Sequence, residues 1–216
     1  ERLRHKNRAV SIFDYERLVL EQFPQVYKVK CINHTNQCSE YAPGHVRLIV
    51  VPDLRNRNAV DPLQPKLPKN TLSEIEKYLK AHTSDFAEIH VTNPQYEMIK
   101  VAVKIVFHAD RDKGFYKQQL QNDIKRFLSP WLYDDAADLS FGGRIHRTWI
   151  LKHIEKLEYV DYLTDFTMDH ITRDETIKNI EEARVKSSSS VLVSCNEHAI
   201  TLQDPSSCRL KRPELA

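Results

Sequence analysis

The chain has 216 residues, of which 41% are hydrophobic and 29% charged, with 32 Lys and Arg against 30 Asp and Glu. These proportions are typical of a folded globular protein and exclude disordered and collagen-like chains. The net charge of +2 gives no strong field for nucleic acid or anionic lipid. Since no apolar run approaches the roughly 18 residues that a membrane-spanning helix needs, we expect no membrane insertion.

The cysteines and the first residue indicate the setting of the chain. Its four cysteines, at positions 31, 38, 195 and 208, form no CxxC pair, and no signal peptide precedes them. We therefore expect reduced thiols and a cytosolic origin. The chain begins with Glu1 and a short basic run instead of Met, so we expect it to be a segment of a longer protein.

A first module with an N-terminal basic segment is predicted over residues 1–92. Ser11 is placed to cap a helix that ends before Pro24. Lysines then alternate with apolar residues over 26–32, which predicts a half-buried strand. The run 46–51 is apolar enough for a strand inside a sheet.

The same module continues after an irregular, proline-rich connection. Thr71 and Glu74 match a capping box, which predicts that a second helix starts at Thr71. A further strand is predicted over 86–91. The first module therefore has the order α-β-β-α-β.

A second module is predicted over residues 93–170. Apolar residues alternate strictly over 99–107, and they recur every three or four positions over 116–127. Gly142 and Gly143 predict a turn that needs positive φ at both glycines. The predicted elements are strand 99–107, helix 116–127, helix 145–157 and strand 159–166.

The third predicted part, 171–216, is a linker, a short hairpin and a polar tail. Residues 172–186 are charged and predict a linker or short helix, whereas 191–193 and 199–202 predict the two strands of the hairpin. The fold class is therefore α+β, with two small modules of mixed sheets, helices packed on one face of each, and a C-terminal hairpin.

Two groups of residues have metal-compatible chemistry. The side chains of Cys31, His34, Cys38 and His45 follow Cys-x2-His-x3-Cys-x6-His spacing, which zinc accepts. Cys31 nevertheless falls on the apolar face of a strand, and the others lie where a polar loop is expected. The carboxylates of 134–138 are likewise explained by a solvated loop. We predict no metal and no cofactor.

Sequence motifs bear on the remaining classes of function, namely enzymes and nucleic-acid-binding proteins. The sequence contains no HExxH, no GxSxG elbow and no phosphate-binding glycine loop, so we predict that the protein is not an enzyme. Its basic stretches are short, and its strongest strand has no pair of aromatic residues suited to base stacking. A nucleic-acid-binding α+β domain stays the main alternative, and a hydrolase that uses a metal is a third.

Several stretches resemble one known family. The chain is similar to the C-terminal half of baseplate J-like proteins, wedge components of contractile phage tails and related injection systems. The resemblance covers roughly residues 1–202. It depends on the stretches Arg2–Val10, Asp14–Leu20, Val51–Asn56, Phe127–Trp131, Leu139–Ile145 and Tyr159–Tyr162.

The resemblance implies a structural wedge component that acts by assembly and brings no catalytic residues. Its implied partners are other baseplate wedge, hub and sheath proteins, with no nucleic acid, and it leaves self-association open. The implied location is the bacterial cytoplasm during assembly and then a phage-tail-like particle.

Candidate interface residues are Trp131, Phe141, Arg144 and Tyr162. Large amphipathic side chains of this kind are enriched in the cores of protein interfaces. Trp149 is interpreted as a core residue. Open edges of strands such as 46–51 or 99–107 would offer backbone amides to a partner's strand.

Overall fold

The computed structural model describes residues 7–36, 38–54, 61–108, 111–134 and 137–203. Residues 1–6 of the basic start, Arg55–Arg57, Asp135 and the polar tail with Cys208 lie outside these ranges. The chain divides into two compact units. Among described residues, the first unit takes those up to Tyr96, Leu139–Phe141 and Ser187–Val191, and the second takes the others. The predicted three-part division stays a prediction.

The first unit has the predicted order α-β-β-α-β. Its elements are α1 (Ile12–Gln22), β1 (Val26–Asn33), β2 (His45–Pro52), α2 (Lys69–Lys80) and β3 (Glu88–Thr92). Strand β2 lies in the middle of the sheet, antiparallel to β1 and parallel to β3. The connection through α2 is what allows β2 and β3 to run parallel.

The two helices of this unit begin differently. At α1, the Ser11 hydroxyl accepts the Asp14 amide at 3.3 Å while the Asp14 carboxylate accepts the Ser11 amide at 2.8 Å, which confirms the predicted cap. The predicted start of α2 at Thr71 is wrong, because the helix begins at Lys69. Its N-cap is Pro68, which makes no side-chain cap. Proline fixes φ at a value compatible with helix entry and so starts the helix earlier.

Both helices pack on the same face of this sheet. Leu48 and Val50 of β2 belong to the core beneath α1 and α2, whereas Ile49 and Val51 are buried on the opposite face of the strand. The buried residues that form this core are Ala9, Tyr15, Leu18, Val19, Val26, Val29, Cys31, Leu48, Val50, Leu67, Ile75, Leu79, Ile89 and Val91.

The second unit is built on the long strand β4. Its elements are β4 (Gln95–Phe107), α3 (Lys113–Leu128), a 3-10 turn (Pro130–Leu132), β5 (Arg144–His146), α4 (Arg147–Glu155), β6 (Val160–Ile171), β7 (Thr176–Ile177), β8 (Glu182–Arg184), β9 (Ser190–Ser194) and β10 (Ala199–Leu202). The first two residues of β4 and of β9 are assigned to the first unit. The larger sheet has the order β10-β4-β6-β7, and β9 also pairs with β4. Strands β5 and β8 form a separate antiparallel ribbon.

The core of the second unit lies between the larger sheet and the two helices. Strand β4 contributes every second residue, as its alternation predicts. The buried residues of this core are Ile99, Val101, Val103, Ile105, Phe107, Leu120, Ile124, Leu128, Ile150, Ile154, Tyr159, Val160, Phe166, Met168, Ala183, Leu192 and Ile200.

The α+β class with mixed sheets is confirmed, but strand pairing near the C terminus differs from the expected hairpin. Strands β9 and β10 each pair with β4, and β10 is parallel to it, with Ala199 opposite Ala102. The 13 residues of β4 are long enough to accept both. The prediction that the strands at 46–51 and 99–107 have open edges is therefore wrong, since β2 and β4 are inner strands.

Three further local predictions need correction. Residues 172–186 contain β7 and β8 and are not a linker or helix. Strand β6 runs on to Ile171, with Asp165 at positive φ where the register with β4 shifts. Only Gly142, at φ +72°, needs glycine at the turn before β5. Among the described helices, none is long and apolar enough to cross a membrane.

Candidate functional site

The four predicted interface residues lie on four separate elements. Trp131 lies in the 3-10 turn, Phe141 in the turn before β5, Arg144 at the first position of β5, and Tyr162 on β6 opposite Val106. Arg144 is exposed and the three aromatic residues are half-buried. Their role in an interface stays a prediction.

Trp131 has a buried hydrogen-bond donor. Its indole Nε1 is buried and finds no hydrogen-bond acceptor in the part of the chain that the structure describes. Leaving a buried N–H without an acceptor costs roughly 1–3 kcal/mol.

Phe141 contacts Lys30 of β1, and Lys28 of the same strand bonds to the segment just before Phe141. The Lys30 ammonium lies 5.3 Å from the centre of the Phe141 ring and donates to the Ser188 carbonyl at 3.0 Å. Lys28 donates to the Leu139 carbonyl at 2.6 Å. Burial lowers the pKa of Lys30, and the Glu16 carboxylate opposes that shift. The Phe141 ring thus already contacts a side chain of the first unit.

Arg144 belongs to an exposed group that we call the ribbon patch, made of Arg144, His146, Trp149 and Glu182. Glu182 Oε1 lies 3.9 Å from the Arg144 guanidinium and 3.5 Å from His146 Nε2. The His146 ring meets the edge of Trp149 with centroids 4.8 Å apart. Trp149 is 49% exposed, so its interpretation as a core residue is wrong: α4 buries Ile150 and Ile154 instead.

Other exposed aromatic side chains were missed in the sequence. Phe86 is 94% exposed and Tyr41 is 79% exposed, and both lie in the loops that lead into β3 and β2. Phe115 and Tyr133 are exposed on the second unit. The predicted strand 86–91 includes Phe86, but β3 begins two residues later, at Glu88. Exposed aromatic side chains are typical of surfaces that bind other proteins.

The four residues with zinc-compatible spacing are not brought together. Cys31 is buried on β1, where burial and the Glu16 carboxylate raise the pKa of its thiol to about 12. Cys38 is exposed in the following loop. Among the described residues, three or more potential ligands converge only at His45, Glu88 and His90. We call these three residues the histidine cluster.

The histidine cluster lies where β2 and β3 begin. Parallel pairing places His45 opposite Glu88 and Arg47 opposite His90. His45 Nδ1 lies 2.9 Å from His90 Nε2 and 3.2 Å from Glu88 Oε2. The neighbouring residues Val46 and Ile89 point towards the helices, so the cluster occupies the opposite face of the sheet.

A serine and a histidine also meet inside the second unit. Ser194 Oγ lies 2.9 Å from His198 Nε2, and both residues are buried. His198 Nδ1 accepts the Val101 amide at 3.1 Å, so the ring hydrogen is on Nε2 and points at Ser194. Ser194 in turn donates to the Cys195 carbonyl at 3.0 Å. This chain of hydrogen bonds fastens the segment between β9 and β10 to β4.

A buried acid–histidine pair lies near the other end of β4. Glu97 Oε2 is 2.7 Å from His170 Nε2, and Glu97 Oε1 accepts the Lys186 amide at 3.1 Å. Both side chains are almost completely buried. The pair joins β4, β6 and the segment after β8, so we interpret it as structural.

Comparison with known proteins identifies the family. A family model described as "Baseplate protein PVC11-like" matches residues 1–196. A chain of the cryo-EM structure of the anti-feeding prophage baseplate, 6-fold symmetrised, has a similar fold, with a TM-score of 0.65 and 19% sequence identity. The match covers 89% of this chain and 39% of that chain. A search among curated proteins gave no match.

Proposed function

The chain belongs to the PVC11-like family of baseplate proteins, and on that premise we propose that it works as a wedge component of a contractile injection apparatus. It acts by assembly and not by catalysis. The match of the family model to residues 1–196 is the observation that carries this proposal. The wedge role is the finer step, and it depends on the resemblance to baseplate J-like proteins.

The proposed partners are other wedge proteins, the hub and the sheath, with no nucleic acid. Self-association is left open. The component assembles in the bacterial cytoplasm and then stays in the phage-tail-like particle. Since this chain spans 39% of the similar baseplate chain, further partner surfaces are expected in the parts of such proteins that it does not cover.

The surfaces proposed for assembly contain exposed or half-buried aromatic side chains beside charged ones. The ribbon patch fits this description best, because Trp149 lies against His146 while Arg144 and Glu182 provide opposite charges. Trp131 adds a half-buried indole whose Nε1 has no acceptor among the described residues. Phe141 and Tyr162 are half-buried, so we propose smaller contributions from them.

Co-purification of the full-length protein from its own cells tests the proposed function. We expect mass spectrometry to identify wedge, hub and sheath proteins in the purified complex. Recovery of the protein alone would contradict the proposal. Recovery with nucleic acid and no baseplate protein would favour the nucleic-acid-binding alternative.

A variant pair tests the ribbon patch itself. Arg144→Glu combined with Trp149→Ala reverses one charge and removes the largest exposed ring, so we expect a loss of partner proteins from the complex. The matched control is Lys104→Ala, which removes an exposed lysine paired with Asp165 at 2.8 Å on the same unit. Equal recovery of partners with both variants would contradict a role for the ribbon patch.

A further inference from the structure

We propose that His45, Glu88 and His90 form a binding site for a divalent transition-metal ion such as Zn²⁺. Two imidazole nitrogens and one carboxylate oxygen lie within 4.8 Å of one another. This inference concerns a bound ion and is independent of the assembly role. Two histidines and one acidic residue are a ligand set that zinc uses in proteins.

The ligand atoms are already close to the spacing that an ion requires. In a tetrahedral site with bonds of about 2.0–2.1 Å, neighbouring ligand atoms are roughly 3.3 Å apart. The observed separations from His45 Nδ1 are 2.9 Å to His90 Nε2 and 3.2 Å to Glu88 Oε2. The two ring planes are 17° apart with centroids 5.2 Å apart, so the two nitrogens face each other directly. Binding therefore needs the side chains to turn until both lone pairs meet at the ion, while these two separations change by only a few tenths of an ångström.

The backbone fixes which side chains meet. His45 and Glu88 are direct partners in the parallel β2–β3 ladder, and His90 follows Glu88 by two residues on the same face. Arg47 also lies on this face, but its Nε donates to Thr92 Oγ1 at 3.3 Å, farther along the strands. The guanidinium is thereby directed away from the cluster, which limits its repulsion of a cation.

The cluster is open to solvent on one side. The His45 side chain is 26% exposed and that of Glu88 is 71% exposed. An ion held by three protein ligands would therefore complete its coordination with water. Imidazole ligands favour zinc, copper, nickel or iron over magnesium and calcium, which prefer oxygen.

Binding of the ion requires one ring hydrogen to move and needs no other reactant. Without metal, one of the two facing ring nitrogens carries the hydrogen that the other accepts. When the ion binds, that hydrogen moves through solvent to the far nitrogen of its own ring. Both imidazoles stay neutral, and the ion takes one lone pair from each ring and one from the carboxylate.

Titration calorimetry of the full-length protein with ZnCl₂ tests the site, with MgCl₂ as the control ion. We expect one Zn²⁺ bound per chain and no Mg²⁺ bound at the same concentrations. Loss of even an outer-shell partner costs a metal site roughly 10–100-fold in affinity. We therefore expect His45→Ala and His90→Ala each to weaken Zn²⁺ binding by at least about tenfold.

A matched control separates this site from the alternative ligand set read from the sequence. His34→Asn combined with Cys38→Ser removes two of those alternative ligands, and asparagine tolerates the positive φ of His34. We expect this variant to bind Zn²⁺ like the unmodified protein. Loss of binding in this control, or no Zn²⁺ binding by the unmodified protein, would overturn the inference.

A third variant tests the site even if the histidine variants fail to fold. Glu88→Gln changes an exposed side chain, so circular dichroism and the melting temperature should be unchanged while Zn²⁺ affinity falls. With Co²⁺ as a spectroscopic probe, we expect visible absorption bands that weaken in Glu88→Gln and not in the His34/Cys38 control. Unchanged Zn²⁺ affinity and Co²⁺ spectra in Glu88→Gln would contradict the site.

Discussion

Two pairs of histidines, one pair in each unit, are used in opposite ways. In the second unit, His170 and His198 are buried, and each has a fixed partner in Glu97 or Ser194. In the first unit, His45 and His90 lie at the open end of a sheet and face each other beside an exposed carboxylate. Closed networks of buried groups stabilise a fold, whereas converging groups in contact with solvent can exchange a hydrogen for a ligand.

Removal of Glu97 tests the buried pair and is expected to have the largest effect on stability. In Glu97→Ala, His170 and the Lys186 amide both lose their buried acceptor. Each of these two buried donors costs roughly 1–3 kcal/mol when it loses its acceptor. We expect the free energy of unfolding, measured with urea, to fall by about 2–6 kcal/mol in total.

The matched control for Glu97 is a carboxylate at the surface of the same unit. Glu181→Ala removes an exposed partner of Arg147, a contact of 3.1 Å. Exposed ion pairs contribute about 0–1 kcal/mol, so we expect a change below about 1 kcal/mol. Equal losses in the two variants would show that burial does not separate the two kinds of network.

The pH dependence of stability sharpens the comparison. Burial, together with Lys125 and Lys100, lowers the pKa of His198 to about 4 in the folded protein. In the unfolded chain this histidine has a pKa of about 6.5, so below that pH the unfolded chain binds a proton that the folded protein does not. We expect this group's contribution to be complete above pH ~6.5 and to fall by about 3 kcal/mol towards pH ~4.

The variant that tests this assignment is His198→Asn. Asparagine can still accept a hydrogen bond but does not titrate, so the loss of stability between pH ~6.5 and ~4 should be about 3 kcal/mol smaller than in the unmodified protein. His108→Asn, at an exposed position, is the control. If unfolding curves of His198→Asn kept the full pH dependence, another group would be responsible.

A smaller effect is expected at the helix starts of the first unit. Ser11→Ala removes the hydroxyl that accepts the Asp14 amide and should lower the free energy of unfolding by about 1 kcal/mol. Thr71→Ala is the control, because α2 begins at Lys69 and has no side-chain cap. We expect it to change stability by less than about 0.5 kcal/mol. A larger effect of Thr71→Ala would contradict the observed start of α2.

The last prediction concerns the reactivity of the two thiols of the first unit. Cys38 is exposed, whereas burial raises the pKa of Cys31 to about 12 and keeps it as a thiol near neutral pH. With iodoacetamide in excess, we expect Cys38 to be alkylated in the folded protein and Cys31 only after unfolding. Peptide mass spectrometry measures both sites. Rapid alkylation of Cys31 in the folded protein would contradict its burial.

Local signals made much of the fold predictable from the sequence. Alternation predicted β4, helical spacing predicted α3, and Ser11 with Asp14 predicted the start of α1. What the sequence did not reveal was long-range pairing. Residues 191–193 and 199–202 are strands as predicted, but their partner is β4, almost 100 positions away.

The candidate sites were harder to predict for the same reason. The histidine cluster joins residue 45 to residues 88 and 90 through the pairing of β2 with β3, which no local spacing reveals. The spacing of Cys31, His34 and Cys38 was visible, but burial of Cys31 separates it from the others. Trp149 shows the same limit, since helical periodicity alone did not fix which residues α4 buries.

Counting assembled particles by electron microscopy tests the central claim most directly, with a strain that lacks the gene compared with one that carries it on a plasmid. If the protein is an assembly component of the baseplate, the strain without it should produce no tails with a complete baseplate, and the plasmid should restore them. Complete, contractile particles at normal numbers in the strain without the gene would contradict the account.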